Sequence, residues 1–354
     1  MKRRTRSAGR FLALLLTVVM LLSMLPVSAF AITGDTNNDG KVDLLDLKAL
    51  LNFLVGNSSE MDSASADISS DGVADAGDII PMLQLTESDT LKAALQGKGL
   101  AVMGDSISTY AGWSNNAAEY NSTIGSNRTY YSTGHVGAPT VDDTYWKQLV
   151  DKYDMILTCN NSISGSRVIG IGPDALAASQ GFAGRPTQLH DDTVANNPGG
   201  EIINPDIICI YLGTNDHLNY DAATSVIGTF EEVKLAELIR ENGTGGYLYA
   251  EPESFAEAYC IMLHKVTDAY PNAEVLALNL PLRTAAADPL IVAFNDVIAK
   301  AAANYGACVV DLYSSKLSGA NYRSYSSDGV HPNAAGMDVM TEILEKTLAD
   351  VYLN

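Results

Sequence analysis

Leu100-Ala101-Val102-Met103-Gly104-Asp105-Ser106-Ile107-Ser108 is the stretch that decides the fold. Four apolar residues run straight into a Gly-Asp-Ser turn, and so short a run bounded by a turn reads as a strand covered on both faces. The pattern recurs downstream. Met155 to Cys159 runs into Asn160-Asn161-Ser162-Ile163-Ser164-Gly165-Ser166, and Ile207 to Leu212 into Gly213-Thr214-Asn215-Asp216. Glu274 to Leu278 and Ala307 to Leu312 complete five runs, separated by longer helical segments. Buried strands alternating with helices predict an α/β fold, a doubly wound parallel sheet.

In such a sheet a ligand lies at the carboxyl ends of the strands, so the residues just past each run carry the chemistry. Acyl transfer needs a nucleophile, a base for its proton, a group that orients the base, and donors for the oxyanion. Ser106, at a strand-to-helix turn, is the candidate nucleophile, with its own N–H pointing into the site. His331, in Ser327-Asp328-Gly329-Val330-His331-Pro332-Asn333, is the candidate base, and Asp328 can hold its ring. Gly165 lets a backbone N–H approach the oxyanion without a side chain in the way, and Asn215 adds an amide donor.

Gly104-Asp105-Ser106, the Gly165 turn, Gly213-Thr214-Asn215-Asp216 and Asp328-x-x-His331 resemble, in order, the four blocks of the SGNH/GDSL hydrolases, over about residues 98 to 350. The resemblance implies a flavodoxin-like sheet, Ser106 as nucleophile, Gly165 and Asn215 as oxyanion donors, and Asp328 with His331 completing a triad. Rival signatures are missing: there is no Gly-x-Ser-x-Gly elbow, His-Glu-x-x-His or Gly-x-x-x-x-Gly-Lys. His135, His190, His217 and His264 have no metal spacing, and no cofactor is expected for catalysis.

Ahead of this region lies a duplication. Asp35-Thr-Asn37-Asn-Asp39-Gly40-Lys-Val-Asp43-Leu-Leu-Asp46 is repeated 32 residues later as Asp67-Ile-Ser69-Ser-Asp71-Gly72-Val-Ala-Asp75-Ala-Gly-Asp78. Each copy places side-chain oxygens at positions 1, 3, 5, 9 and 12 and a Gly at 6, as an EF-type calcium loop requires. Ten candidate Ca2+ ligands result: Asp35, Asn37, Asp39, Asp43 and Asp46, then Asp67, Ser69, Asp71, Asp75 and Asp78. Position 12 is Asp in both, and an apolar helix follows each loop, Leu47 to Val55 and Ile79 to Leu85, the second kept short by Pro81. Over about residues 33 to 86 this resembles the dockerin module of cellulosome-type assemblies. The resemblance implies a cohesin domain of a scaffold protein as partner, read in part by loop positions 10 and 11. These are Leu44-Leu45 in one copy and Ala76-Gly77 in the other, which weighs against two interchangeable binding faces. So small an all-α module buries little core, and its folding is expected to depend on the metal.

Residues 1–31 carry five basic residues and no acid, then the apolar run Phe11 to Leu25 and Ala29-Phe30-Ala31, the pattern of a secretory signal peptide. Its removal leaves 17 basic against 42 acidic residues, a charge of −25 that argues against nucleic acid or an anionic membrane as partner. Cys159, Cys209 and Cys308 lie in apolar runs, Cys260 outside them, and all four are read as free thiols, with no CxxC spacing. Tyr110, Trp113, Tyr145 and Trp146 flank the site but read as core. Residues 218 to 257, rich in Gly and Tyr after Arg240, suit a lid or a rim.

The expected organisation is signal peptide 1–31, calcium module 32–88, linker 89–97 and hydrolase domain 98–354. The expected function is that of an exported serine esterase docked on a scaffold, acting on an acylated polysaccharide, with acetyl on a hemicellulose such as xylan as the leading substrate. The residues leave open an esterase for other acyl groups and a non-catalytic carbohydrate-binding adaptor on the same scaffold.

Overall fold

The structure, a computed structural model, describes residues 32–58, 61–114, 129–169, 185–190 and 202–353. The expected signal peptide, residues 1–31, lies outside the described residues. None of the described helices is long and apolar enough to cross a membrane. The chain divides into two compact units, with the boundary between Thr90 and Leu91.

In the first unit the duplication is conformational as well as sequential. The Asp35 carboxylate accepts the N–H groups of Asp39 and Gly40, and the Asp67 carboxylate those of Asp71 and Gly72. Asp46 accepts from Asn37 N–H at 3.1 Å and Asp78 from Ser69 N–H at 2.9 Å. Gly40 and Gly72 turn each loop at φ +86° and +92°, where a Cβ would be strained. Positions 9 and 12 then form a reciprocal capping box in both copies, Asp43 with Asp46 and Asp75 with Asp78. That cap starts helix α1 at Leu44–Leu54, three residues before the apolar periodicity suggests. Leu50, Ala66 and Met82 form the unit's small buried core.

Helix α2 spans Ile79–Leu95, well past the expected end at Leu85 and through most of the expected linker 89–97. Pro81 falls in the first turn, where its missing N–H has no helical partner to lose. The polar stretch Thr86 to Thr90 stays helical, with both threonine hydroxyls donating back along the helix, Thr86 to Leu83 C=O and Thr90 to Thr86 C=O. Leu91 and Leu95 are buried in the core of the second unit. The helix stops at Gly97, whose φ of +76° ends it and whose N–H donates to Asp154 C=O.

Seven strands are described in the second unit: β1 Gly99–Gly104, β2 Ile156–Asn160, β3 Ile207–Tyr211, β4 Ile239–Glu241, β5 Tyr247–Tyr249, β6 Glu274–Leu278 and β7 Cys308–Val310. Five form one parallel sheet in the order β2-β1-β3-β6-β7, and β4 and β5 make a separate antiparallel hairpin. Counting the sheet strands alone, the order is 2-1-3-4-5, the flavodoxin-like arrangement, and all five expected runs are its strands. Every residue of β1 and β3 is buried, as strands covered on both faces must be. The chain leaves β1 in one direction for β2 and crosses back for β3, so the switch point lies at the carboxyl end of β1, where Gly104-Asp105-Ser106 sits.

The covering helices are α3 Tyr145–Lys152, the short α4 Thr214–Leu218, α5 Phe255–Ala269, α6 Pro289–Asn304 and α7 Ala334–Leu353. Helix α3 packs on α7, and α5 on α6. Tyr110, Tyr145 and Trp146 are buried in this core as expected, while Trp113 is partly exposed against Trp146. Cys209 and Cys260 are buried free thiols and Cys308 a half-buried one, and Cys159 is buried.

Candidate active site

β1 must end in glycine: a Cβ on Gly104 would lie 2.6 Å from the Cβ of Ser108 and 3.2 Å from the Ser162 hydroxyl. Asp105 then caps a single 3₁₀ turn, Ser106–Ser108, by accepting the N–H of Ile107 at 3.0 Å. Ser106 is 5% exposed, and its N–H has no acceptor among the described residues. Behind this turn Tyr145 hydroxyl meets the Ser108 hydroxyl at 2.8 Å, and Trp146 Nε1–H donates to Ser108 C=O.

The loop carrying the other two residues closes on itself. Ser327 N–H donates to His331 C=O at 2.9 Å, and Asp328 Oδ1 accepts the N–H groups of Val330 and His331 at 2.9 and 2.8 Å. Tyr322 and Tyr131 hydroxyls donate to Val330 C=O and Pro332 C=O, at 2.5 and 2.7 Å. With the backbone so held, His331 Nδ1 lies 2.7 Å from Asp328 Oδ2 and its Nε2 lies 2.8 Å from Ser106 Oγ. Nδ1–H therefore donates to the carboxylate, and Nε2 accepts from the serine hydroxyl. Residues 225 positions apart in the chain are brought into one relay.

The electrostatics suit a neutral imidazole beside an ionised carboxylate. Burial lowers the pKa of His331 and Asp328 opposes that, leaving it below the ordinary value. Burial alone would raise Asp328, but the His331 N–H, the imidazole, the Val330 N–H and the Tyr130 hydroxyl together hold it well below the usual carboxylate range.

The candidate oxyanion donors lie on the loop after β2 and in the first turn of α4. Gly165 adopts φ +82°, and a Cβ there would meet nothing within 4 Å. The left-handed backbone is a further reason for glycine at this position. The Gly165 N–H has no acceptor among the described residues. Asn215 lies on α4, and its Nδ2 donates to Ser166 C=O at 3.0 Å, which commits one amide proton and leaves the second. Asp216 braces the same loop by accepting the N–H groups of Val168 and Ile169, both at 2.9 Å. Burial pushes its pKa up to about 6, against those donors, and pushes that of Asp105 to about 7.

Three further residues of the site carry no motif. Tyr130 lies against His331 and donates its hydroxyl to Asp328 Oδ2 at 2.8 Å. Fully buried Arg185 donates to Gly104 C=O at 2.8 Å and Asn161 C=O at 2.6 Å, tying the ends of β1 and β2. Arg283, past the end of β6, binds His217 of α4. Tyr130 and Arg283 lie outside helices and strands and Arg185 on a 3₁₀ turn, and each acts through a partner distant in sequence. Within 218–257, Asn219, Tyr220, Glu253 and Phe255 line a cavity of about 40 Å³ together with Arg167, Asp216 and Phe294.

In the calcium loops all ten candidate ligands lie in the repeated turns, but the carboxylates at positions 1 and 12 are turned onto loop N–H groups. Among the described residues no three acid, His or Cys side chains converge on one point. The donor set, all hard oxygen, is nonetheless the kind that Ca2+ selects, and the glycine turns are those of a calcium loop.

A 2-1-3-4-5 parallel sheet with a Gly-Asp-Ser turn at its switch point defines an SGNH hydrolase. A family model described as GDSL-like Lipase/Acylhydrolase matches residues 98–348, and the chain belongs to that family. A second, the Dockerin type I domain, matches residues 33–82; such domains bind calcium and cohesins. No curated protein matches the sequence. Among solved structures, a GDSL-like lipase from Bacteroides ovatus is similar at 20% identity and TM-score 0.50, covering 72% of this chain and 99% of that one. One from Bacteroides uniformis is similar at 21% identity and TM-score 0.49, covering 72% and 96%. A catalytic mutant of an acetylxylan esterase from Geobacillus stearothermophilus is similar at 14% identity and TM-score 0.42, covering 72% and 95%.

Proposed function

We propose that the protein is a secreted serine esterase that removes O-acetyl groups from a plant cell-wall polysaccharide such as xylan, held on a scaffold through its dockerin module. The observation that carries the esterase reading is the relay Asp328–His331–Ser106, with links of 2.7 and 2.8 Å. Ser106 Oγ attacks the ester carbonyl as its proton passes to His331 Nε2. The N–H groups of Ser106 and Gly165 and the second amide proton of Asn215 receive the oxyanion. Collapse expels the sugar alcohol, which takes the proton from His331. A water then repeats the sequence on the acyl-enzyme and releases acetate.

The polysaccharide is supported by the dockerin module, an association and not site chemistry. In that module the two loops each hold one Ca2+ through the ten residues named. Leu44 and Leu45 of the first repeat, 64% and 56% exposed, offer the cohesin an apolar contact that Ala76 and Gly77 cannot. Residues 1–31 are removed on export.

Replacing Ser106 by Ala should abolish hydrolysis of 4-nitrophenyl acetate with the thermal midpoint preserved; activity that persists refutes the assignment. Acetate release from acetylated xylan, set against a chain-length series of simple esters, tests the substrate.

A further inference from the structure

Beyond β6 the chain crosses the carboxyl edge of the sheet through Asn279-Leu280-Pro281-Leu282 to Arg283, which is 8% exposed. Arg283 Nη2 lies 2.6 Å from His217 Nδ1, and His217 Nε2 lies 2.8 Å from Asp288 Oδ2. A guanidinium can only donate, so His217 accepts at Nδ1, is neutral, and gives its single ring proton to Asp288. Burial and the neighbouring Arg283 charge both favour that neutral form. His217 stands two residues after Asn215 on α4, so the bond ties the guanidinium to the helix that carries the oxyanion amide. Against the burial that raises Asp105, at the carboxyl end of β1, the Arg283 charge favours its ionised form.

Beyond that through-space interaction with Asp105, no described carboxylate pairs with it. Asp288 is engaged on the far side of His217, and Arg283 forms no ion pair with any described carboxylate. Its Nε and Nη1 make no hydrogen bond to described residues, yet neither is sealed from solvent. A largely buried charge without a counter-ion is costly. Such a group, held rigidly at the ligand-binding edge with an open donor face, has the form of a site whose counter-ion arrives with the ligand. The planar fork of a guanidinium matches a carboxylate in a way that a lysine does not.

We propose that Arg283 is a specificity residue that binds a carboxylate carried by the ester substrate. This deepens the esterase reading and rests on it. The carboxylate comes from one of two sources, a uronic acid on the alcohol side of the ester or the free end of a dicarboxylic acyl group.

The test compares kcat/KM of the full-length protein on three esters: acetylated methyl glucoside, acetylated methyl glucuronate (the methyl glycoside, its carboxyl free), and methyl glucoside esterified with succinate. The expected result is a preference of about tenfold or more, expressed in KM, for one of the two charged esters over the neutral one, as a charge-assisted hydrogen bond would give. Which ester is preferred identifies the side of the scissile bond that faces Arg283. In Arg283→Gln the preference collapses to near one, and Arg283→Lys recovers part of it. Equal rates on all three esters in the parent protein overturn the proposal. So does an equal fall on neutral and charged esters in Arg283→Gln, which marks a purely structural role through His217. Should Arg283→Gln not fold, inhibition of the parent protein decides: methyl glucuronate or succinate must inhibit neutral-ester hydrolysis about tenfold more strongly than methyl glucoside, and equal inhibition counts against the proposal. Hydrolysis of the neutral ester reports the Ser106 chemistry separately, so the two readings fail in different ways.

Discussion

The phenol ring of Tyr130 lies flat on the imidazole of His331, with centroids 3.4 Å apart and planes inclined by 11°, while its hydroxyl donates to Asp328. One side chain thus presses on the base and also holds the group that orients it. It is a positioning residue, and it belongs to a segment with no motif.

Removing only the hydroxyl, as Tyr130→Phe, takes one donor from Asp328 and leaves its charge more available to the imidazolium. The acid limb of the kcat/KM profile should move to higher pH, with the plateau falling about fivefold, on the order of 1 kcal/mol of transition-state stabilisation. Tyr130→Ala, which also loses the stack, should fall further. An unmoved acid limb in the Phe variant would show that Tyr130 serves the fold alone.

His331 must be neutral to accept the Ser106 proton, and burial lowers its pKa below the ordinary 6.5. The rate of the parent enzyme therefore rises with pH through a midpoint below that value and is flat above it. Asp328, held far down, stays ionised across the range. A midpoint above about 7, higher than an unperturbed imidazole, contradicts the geometry.

Asp105 bears on stability. Its folded pKa is raised to about 7 by burial, from an ordinary 3.8. A group raised in the folded state favours folding while protonated in both states, and this contribution is lost as pH rises from about 4 to about 7. Asp105→Asn mimics the protonated acid and keeps the acceptor for Ile107 N–H. The difference in thermal midpoint, variant minus parent, should therefore grow between pH 4 and pH 7. A pH-independent difference would show that the carboxyl is not protonated in the fold.

Asn215 and Gly165 separate chemistry from conformation. Asn215→Ala should lower kcat by roughly a hundredfold with KM little changed, since its amide acts on charge that develops only in the transition state. Gly165→Ala meets no steric neighbour but must hold φ +82°, so a stability loss of about 1–2 kcal/mol is expected in chemical denaturation. Stability unchanged in that variant would mean the loop relaxes to another backbone.

Chelation of calcium from the full chain should release amide protection across residues 33–86 while ester hydrolysis continues. The buried core there is small, centred among the described residues on Leu50, Ala66 and Met82, so folding is expected to depend on the metal. Protection that survives chelation in that region would sink the coupling.

The sequence by itself determined the five sheet strands, the calcium duplication and the identity of Ser106, Asp328 and His331. Those signals are local: hydrophobic runs, turn chemistry and fixed spacing are written within a dozen residues. Helix α2 was misread at its end because polar residues at 86–90 look like a linker, whereas Leu91 and Leu95, which anchor the helix into a core, are recognisable only once that core exists. Gly165 was found in the chain, but a further reason for it, a left-handed backbone, was visible only in three dimensions. Tyr130, 198 positions from Asp328, and Arg283, 66 from His217, were decided by tertiary structure alone. Their roles are contacts that join an irregular segment to a loop or helix distant in sequence, and only the closure of the sheet's carboxyl edge brings such partners together.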